Sequence, residues 1–341
     1  MSWYAVEALD DAIEGTREFL FPFDAGTWLR LAIVVFFLGG ASSASPFQGG
    51  MQFSSGSNDP VSAPLIPPDG GDVSIPTDTI LMVVAAVIIV AVLLGLLFTL
   101  IGSVMEFAFV ESLRSQEVHV RRYMSRYFGQ GLRLFVFRLV LFLVVVLPIG
   151  VLILVTVPVF SAGSPSIAAG TVLVFIPVFI LLALFVALVD GLTTNFVVPV
   201  MILQERGVIA GWQAFWPTLR GEWKQYGVYL VLKFFLAIAG GFLVSIAGGI
   251  IAVFLLIPFA IFAVLLVVAF GGFAAISATL SNPVALVLFG ALVLGYVVCL
   301  LFALALVRVP IQTYLGYFSL LVLGDTNREF DLIPELREEI R

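Results

Sequence analysis

Cysteine, histidine and lysine are almost absent from the 341 residues: Cys299 and His119 are single, and Lys224 and Lys233 are the only lysines among sixteen basic residues. One cysteine excludes an intrachain disulfide and a cysteine-cluster metal site. The basic residues form no dense stripe, so we expect no nucleic-acid binding. No Ser-His-Asp set, HExxH motif or paired-carboxylate motif occurs. The sequence therefore predicts no catalytic residue, no metal site and no cofactor, and we expect a protein that is not an enzyme.

Charged residues are also scarce, because they make up only 11% of the chain while apolar residues make up 61%. Soluble domains carry about 45–50% apolar and about 25% charged residues. Mean hydropathy is +1.17, and several apolar runs exceed the roughly 20 residues that a helix needs to span a bilayer. These features predict an all-α polytopic transmembrane helix bundle, whose immediate partners are membrane lipids.

The pattern of charges divides the chain into three parts. In residues 1–25, Val6, Leu9, Ile13 and Leu20 share one helical face and acidic residues lie on another, which predicts an amphipathic helix that lies at the membrane interface or against its own bundle. Residues 26–323 hold the transmembrane bundle, and residues 324–341 form a charged tail.

Basic residues next to crossings favour the cytoplasmic side. Residues 114–131 and 204–225 carry such residues and are predicted to be cytoplasmic connectors, whereas the polar linker at 45–77 has no Lys or Arg and is predicted to lie outside. We expect both termini in the cytoplasm of a cell whose plasma membrane holds the protein. This orientation requires an even number of crossings and favours six. Pro258 would then kink the fifth, and residues 259–283 would fold back from the outer side; two crossings within 226–283 would give seven.

The connector at 204–225 is the most aromatic of the charged segments. Val208, Trp212, Phe215, Leu219 and Trp223 follow one another at spacings of three or four residues, with Pro217 in the middle, and predict an amphipathic helix at the headgroup level. An interfacial connector is the simpler interpretation, and a surface that binds lipid headgroups or a protein partner is the other. The candidate surface comprises Trp212, Trp216, Arg220, Trp223 and Lys224.

Five charged residues fall near the cytoplasmic ends of predicted crossings: Glu106, Arg138, Asp190, Lys233 and Arg308. Charges inside membranes are functional candidates. On the outer side of these five residues, however, the predicted crossings contain few polar residues that could continue an ion pathway. Mutual pairing, Glu106 with Arg138 and Asp190 with Lys233 or Arg308, is therefore expected over an ion relay.

Two further patterns concern packing. Gly241, Ser245 and Gly249 recur every four residues and predict a face on which two helices approach closely. Residues 185–207 are echoed by residues 301–325 in the order of apolar, charged and aromatic residues. Such an echo predicts tandem helical hairpins, as found in transporters.

An acidic, lysine-poor composition is typical of proteins from a high-salt cytoplasm. In addition, the blocks "DDAIEGTREFLFPFDAGTWLRLAIVVFFLGG", "VVPVMILQERGVIAGWQAFWPTLRGEWKQYGVYL" and "VPIQTYLGYFSLLVLGDT" resemble an uncharacterised family of haloarchaeal multi-pass membrane proteins. The middle block is more distantly similar to the membrane domain attached to some glycerophosphodiester phosphodiesterases, at Pro199, Glu205, Arg206, Trp216 and Trp223. The catalytic barrel of those enzymes is missing, so the resemblance implies a fold and a host but no activity.

Two functions follow as hypotheses. The first is a non-enzymatic scaffold or lipid-associated protein, with a membrane-protein partner or a second copy as a possible companion; the alternative is a small-solute or lipid transporter. A lipid-modifying enzyme ranks third. A water-lined cavity that reaches Asp190 from outside would favour transport, whereas a closed bundle with a lipid-facing groove beside Trp212 and Trp223 would favour the first hypothesis.

Overall fold

The computed structural model describes residues 4–42, 77–161, 165–272 and 282–341, and in these ranges the regular structure is helical throughout. The predicted outer linker at 45–77 lies outside the described residues except for its last position. The helices are α1 (Tyr4–Leu20), α2 (Ala25–Ser42), α3 (Thr77–Ser115), α4 (Val120–Ser161), α5 (Pro165–Leu192), a π-helix (Thr193–Val197), α6 (Val198–Gln204), α7 (Val208–Gly221), α8 (Trp223–Ala269), α9 (Pro283–Thr326), a 3-10 turn (Arg328–Phe330) and α10 (Pro334–Ile340).

Five of these helices are long and apolar enough to cross a membrane, which confirms the predicted class of a helical membrane protein. Their candidate spans lie in Ala85–Ser115, Val120–Ser161, Gly170–Gln204, Trp223–Ala269 and Pro283–Thr326. A shorter apolar helix, Ala25–Gly39, belongs to α2 and packs along α3. With α2, the described residues contain six long helices of the bundle.

Helix α8 corrects one expectation about residues 226–283. Its 47 residues continue through Pro258 to Ala269 without a break, so residues 259–269 extend the helix and do not fold back. The two crossings needed for a total of seven are likewise not formed within residues 226–269. A proline inside a helix removes one hydrogen bond, and in α8 the helix still continues for three turns beyond it.

The six long helices pack side by side in the order α5, α4, α3, α2, α9 and α8, and α6 and α7 link the two ends of this row. Buried residues concentrate at one end of the bundle. There α3 ends, α4 begins, and α6 and α7 meet the carboxyl-terminal end of α9. We call this end of the bundle the base. Phe196, Phe215, Tyr226, Tyr229 and Phe318 stack there with ring centroids 4.8 to 5.4 Å apart. The opposite halves of the helices expose apolar side chains, as lipid contact requires.

Helix α1 packs on the base through a face that differs from the predicted one. Ala5, Ala8 and Ala12 are fully buried, and a Cβ on Gly15 would lie 3.6 Å from Leu336 and Tyr317. Val6 and Ile13 of the predicted apolar face are exposed, whereas Leu20 of the same face is buried. Exposure of Val6 and Ile13 agrees with a helix at the membrane interface and not with packing of that whole face against the bundle. Small residues allow the backbone of α1 to approach α9, and of the larger apolar side chains Phe19 and Leu20 are buried at the end of the helix.

The tail at 324–341 folds back against α1 and α9. Arg337 contacts Asp325 at 3.4 Å and Asp331 at 3.0 Å. Arg341 contacts Asp11 of α1 at 2.7 Å and both carboxylate oxygens of Asp325 at 2.9 and 2.7 Å. These ion pairs place both termini at the same end of the bundle, as an even number of crossings requires.

Glu18 lies at the junction between α1 and the tail, close to two other carboxylates. Partial burial and the neighbouring carboxylates of Glu339 and Glu14 raise the pKa of Glu18. A carboxyl group with a raised pKa in the folded protein contributes stability at low pH that is lost as the pH rises through that pKa. The contribution of Glu18 itself to stability is therefore larger at a pH near the ordinary glutamate pKa than at pH 7.

We expect Glu18→Gln to stabilise the protein at pH 7 by at most about 0.5 kcal/mol and to reduce the gain in stability on mild acidification. Thermal unfolding at pH 5 and pH 7 measures both effects. Glu7→Gln, on the same exposed helix surface, is the control. An equal response of the two variants would show that the Glu18–Glu339 contact has no special role.

Helices α8 and α9 approach each other closely, but through glycines one position away from the predicted stripe. A Cβ on Gly240 would lie 2.8 Å from Ile311, and one on Gly248 would lie 2.5 Å from Leu304. Gly249 has no neighbour within 4 Å, and Ser245 is exposed. The small-residue interface exists, but its close contacts are made by Gly240 and Gly248, and Ser245 and Gly249 do not form it.

Candidate functional site

The charged residues of the predicted layer converge around Arg138 of α4. Its Nε donates to Asp190 of α5 at 3.0 Å, and its Nη2 donates to Glu106 of α3 at 2.9 Å. The same guanidinium donates to the hydroxyls of Ser103, at 3.3 Å, and Thr194, at 2.9 Å. A planar guanidinium with five donors suits such a fork. One buried cation thus links α3, α4, α5 and the π-helix.

This geometry confirms one expected pair and corrects another. Glu106 pairs with Arg138, as predicted. Asp190, expected opposite Lys233 or Arg308, pairs with Arg138 instead. Arg308 lies elsewhere, because a Cβ on Gly39 of α2 would be 2.9 Å from its Nη1. The two carboxylates therefore share a single arginine.

Lys233 of α8 forms the second cationic centre. Its Nζ donates to Asn195 Oδ1 of the π-helix and to the hydroxyl of Tyr229 at 2.9 Å. Lys233 and Glu106 face the same cavity of about 30 Å³, which Gln312 and Ser319 of α9 also line. A cavity of that size holds one or two water molecules. Arg138 and Glu106 are buried, Lys233 and Asp190 are half-buried, and the formal charges of the four residues sum to zero.

Helix α7 turns Trp212 towards these buried groups. Its indole N–H donates to the Thr193 hydroxyl at 3.0 Å. Val208, Gly211 and Phe215 are buried on the same helix, and a Cβ on Gly211 would lie 2.8 Å from Val197 of the π-helix. Trp212 is thus an internal contact of the base rather than part of an exposed surface.

Trp223 departs from the predicted helix face because α7 ends at Gly221 and α8 begins at Trp223. Glu222 joins the two helices with a non-helical backbone. Trp223 therefore cannot continue the stripe of Val208, Trp212 and Phe215. Pro217, by contrast, lies within α7, which continues past it.

The corner between α7 and α8 exposes two tryptophans, each beside a cation. Trp216 is 45% exposed, and the Arg220 guanidinium lies 4.7 Å from its ring centroid. Trp223 is 65% exposed, and Lys224 Nζ lies 6.0 Å from its ring centroid. Both distances allow a cation–π interaction. We call these four residues the α7–α8 corner.

Exposed apolar residues also surround the base at other points. Phe21 and Phe23 are exposed between α1 and α2, and Phe128 is exposed near the start of α4. Arg122 and Arg126 are exposed within two turns of Phe128. Aromatic residues interleaved with arginines are typical of the headgroup level of a membrane.

The π-helix is the part of the site that the sequence did not indicate. Thr193, Thr194 and Asn195 are small polar residues without charge, and only "GLTTN" after Asp190 marks them. In the structure these consecutive residues bond to three different helices: Trp212 of α7, Arg138 of α4 and Lys233 of α8. A polar triplet directly after an intramembrane acid is the signal that could have identified them.

Comparison with known proteins gives one match. The model of a family of unknown function, DUF7544, matches residues 3–333, which covers nearly the whole chain. No curated protein and no solved structure matches it.

Proposed function

Because the chain belongs to the DUF7544 family of unknown function, its role has to be inferred from its own residues, and we propose that it is a lipid-associated membrane protein without enzymatic activity. Its α7–α8 corner binds anionic lipid headgroups at the cytoplasmic surface. The observation that carries this proposal is the pair of exposed tryptophan–cation contacts at one helix corner.

The chemistry of the corner suits a lipid phosphate. The indole rings of Trp216 and Trp223 favour the headgroup region, where an apolar body and one N–H donor can both be satisfied. Arg220 and Lys224 supply positive charge beside them, and each cation near an anionic membrane surface contributes about 1 kcal/mol. Glu222 lies between the two pairs and leaves the corner with a net charge of +1.

The interior of the base favours this function over transport. Arg138 uses its fork on four partners of the same chain, so these polar groups hold helices together and are not free to bind a solute. The cavity beside Glu106 and Lys233 has a volume of only about 30 Å³. A solute transporter binds its cargo between helices at the middle of the membrane and needs more room than this.

The composition and the positions of the basic residues support a location and an orientation for the protein. A net charge of −6 with only two lysines supports a halophilic archaeal plasma membrane as the location. All basic residues of the chain lie at or near the base, because none occurs in the outer halves of the long helices. The positive-inside rule then supports a cytoplasmic base with both termini in the cytoplasm.

We expect the purified chain to retain anionic phospholipid, and the double variant Arg220→Gln/Lys224→Gln to bind it about thirty-fold more weakly, because two cations that each contribute about 1 kcal/mol near the headgroups are lost. Mass spectrometry of the lipids retained from vesicles of equal parts phosphatidylglycerol and phosphatidylcholine measures the effect.

Arg17→Gln/Arg328→Gln is the matched control. Both arginines are exposed and lie outside the corner, and the change in net charge is the same. Equal retention of phosphatidylglycerol by the two double variants, or no preference of the unaltered chain for phosphatidylglycerol, would overturn the proposed function.

A further inference from the structure

The π-helix Thr193–Val197 connects the lipid-facing corner with the buried charges. Its first three residues point in different directions, and each accepts a hydrogen bond from a different helix. Thr193 accepts from Trp212 of α7 at 3.0 Å, Thr194 accepts from Arg138 of α4 at 2.9 Å, and Asn195 accepts from Lys233 of α8. The path from the surface of the base to its centre thus runs from Trp212 through Thr193 and Thr194 to Arg138.

Each link of the path is short and well packed. Trp212 lies one helical turn before Trp216, so one helix carries both the half-buried Trp212 and the exposed Trp216. Gly211 allows α7 to lie against Val197, where a Cβ would be only 2.8 Å from the Val197 side chain. A displacement of α7 therefore acts directly on the π-helix and, through Thr194, on the Arg138 network.

We propose that Thr193, Thr194 and Asn195 transmit lipid binding at the α7–α8 corner to the packing of α3, α4, α5 and α8. Trp212 and Thr193 couple α7 to the π-helix and do not bind lipid themselves, because neither belongs to the exposed corner. The inference rests on the proposed lipid contact of the corner. It extends that function, since the corner becomes a sensor of anionic lipid and the helix bundle becomes its readout.

The local geometry supports such a role. A π-helix in place of a regular α-helix is rare and occurs frequently at functional sites. Here the two threonine hydroxyls and the Asn195 amide are all engaged with groups of the same chain. If Trp212, Arg138 or Lys233 moved, the π-helix residue that it contacts would lose its hydrogen bond. An unpaired polar group is costly in a low-dielectric environment, so we expect the three hydrogen bonds to change together.

The test combines lipid retention with hydrogen exchange on the full chain in detergent, with phosphatidylglycerol or phosphatidylcholine added. For the unaltered chain we expect phosphatidylglycerol to slow exchange about five-fold in peptides that cover residues 186–200. Thr193→Val removes the acceptor of the Trp212–Thr193 hydrogen bond, together with the Thr193 bond to the Val189 carbonyl, with little change in volume. Trp212→Phe removes the donor of the same hydrogen bond and leaves a smaller ring. Both should retain phosphatidylglycerol yet lose most of this protection.

Trp28→Phe is the control, because it removes another indole hydrogen bond, to the Leu20 carbonyl at 3.3 Å, outside the path. It should keep the full protection. Unchanged protection in both Trp212→Phe and Thr193→Val, or bound lipid without protection in the unaltered chain, would overturn the coupling. No retention of phosphatidylglycerol by the unaltered chain would overturn the proposed function itself, so the two failures are distinguishable.

Discussion

Arg138→Met is expected to lower the free energy of unfolding by about 3–5 kcal/mol, because removal of one partner leaves the remaining buried charges uncompensated. Glu106 and Asp190 both depend on this arginine, at 2.9 and 3.0 Å. The hydroxyls of Ser103 and Thr194 lose a donor as well. Thermal unfolding in detergent measures the loss, and we expect poor recovery of folded protein from the membrane.

Two companion variants separate the loss of pairing from the loss of packing. Arg138→Lys keeps the charge but not the planar fork, so its stability should fall between the unaltered chain and Arg138→Met. The triple variant Arg138→Met/Glu106→Gln/Asp190→Asn removes all three charges and should recover much of the loss. A triple variant as unstable as Arg138→Met would contradict the assignment of the cost to unpaired carboxylates.

Gly131→Ala is expected to destabilise the protein by about 1–3 kcal/mol, since extra volume in a packed interface displaces its surroundings. A Cβ at this position would lie 2.5 Å from Val104 Cγ2 and 2.8 Å from Val104 Cα. The second contact is with backbone, so α3 and α4 would have to separate. Arg138 follows two turns along the same helix face, and its bond to Glu106 would lengthen.

Gly129 offers a control two residues away on the same helix. No atom lies within 4 Å of a Cβ built there, and the residue is exposed. Gly129→Ala should therefore stabilise α4 by up to about 1 kcal/mol through helix propensity. Thermal unfolding of the two variants in the same detergent compares them. Equal effects would show that α3 and α4 do not approach as closely as described.

The sequence predicted the helical bundle and its long apolar segments, because hydropathy is a property of the chain in one dimension. The sequence did not predict how each helix is rotated about its axis, and therefore which of its side chains face the neighbouring helices. In lipid an apolar side chain does not have to be buried in protein, so Val6 and Ile13 are exposed while Ala5, Ala8 and Ala12 pack. Small residues indicate helix contacts better than large apolar ones.

The same reason explains the errors in α8 and at Asp190. Helix α8 is apolar all round, so the pattern could not distinguish Gly240 and Gly248, which contact α9, from Gly241 and Gly249. Asp190 was correctly expected near other charges, but its choice of Arg138 over Lys233 depends on the rotation of α5. The role of the π-helix is visible only in the folded structure, because its residues carry no charge and their partners on α4, α7 and α8 are distant in sequence.

The most direct test of the lipid contact is quenching of Trp216 and Trp223 fluorescence by lipids that carry a spin label on the headgroup. The signal of these two residues is the difference between the unaltered chain and Trp216→Phe/Trp223→Phe. Headgroup-labelled anionic lipid should quench this signal more strongly than headgroup-labelled zwitterionic lipid at equal mole fraction. Equal quenching by the two lipids, or none by either, would contradict binding of anionic headgroups at the α7–α8 corner.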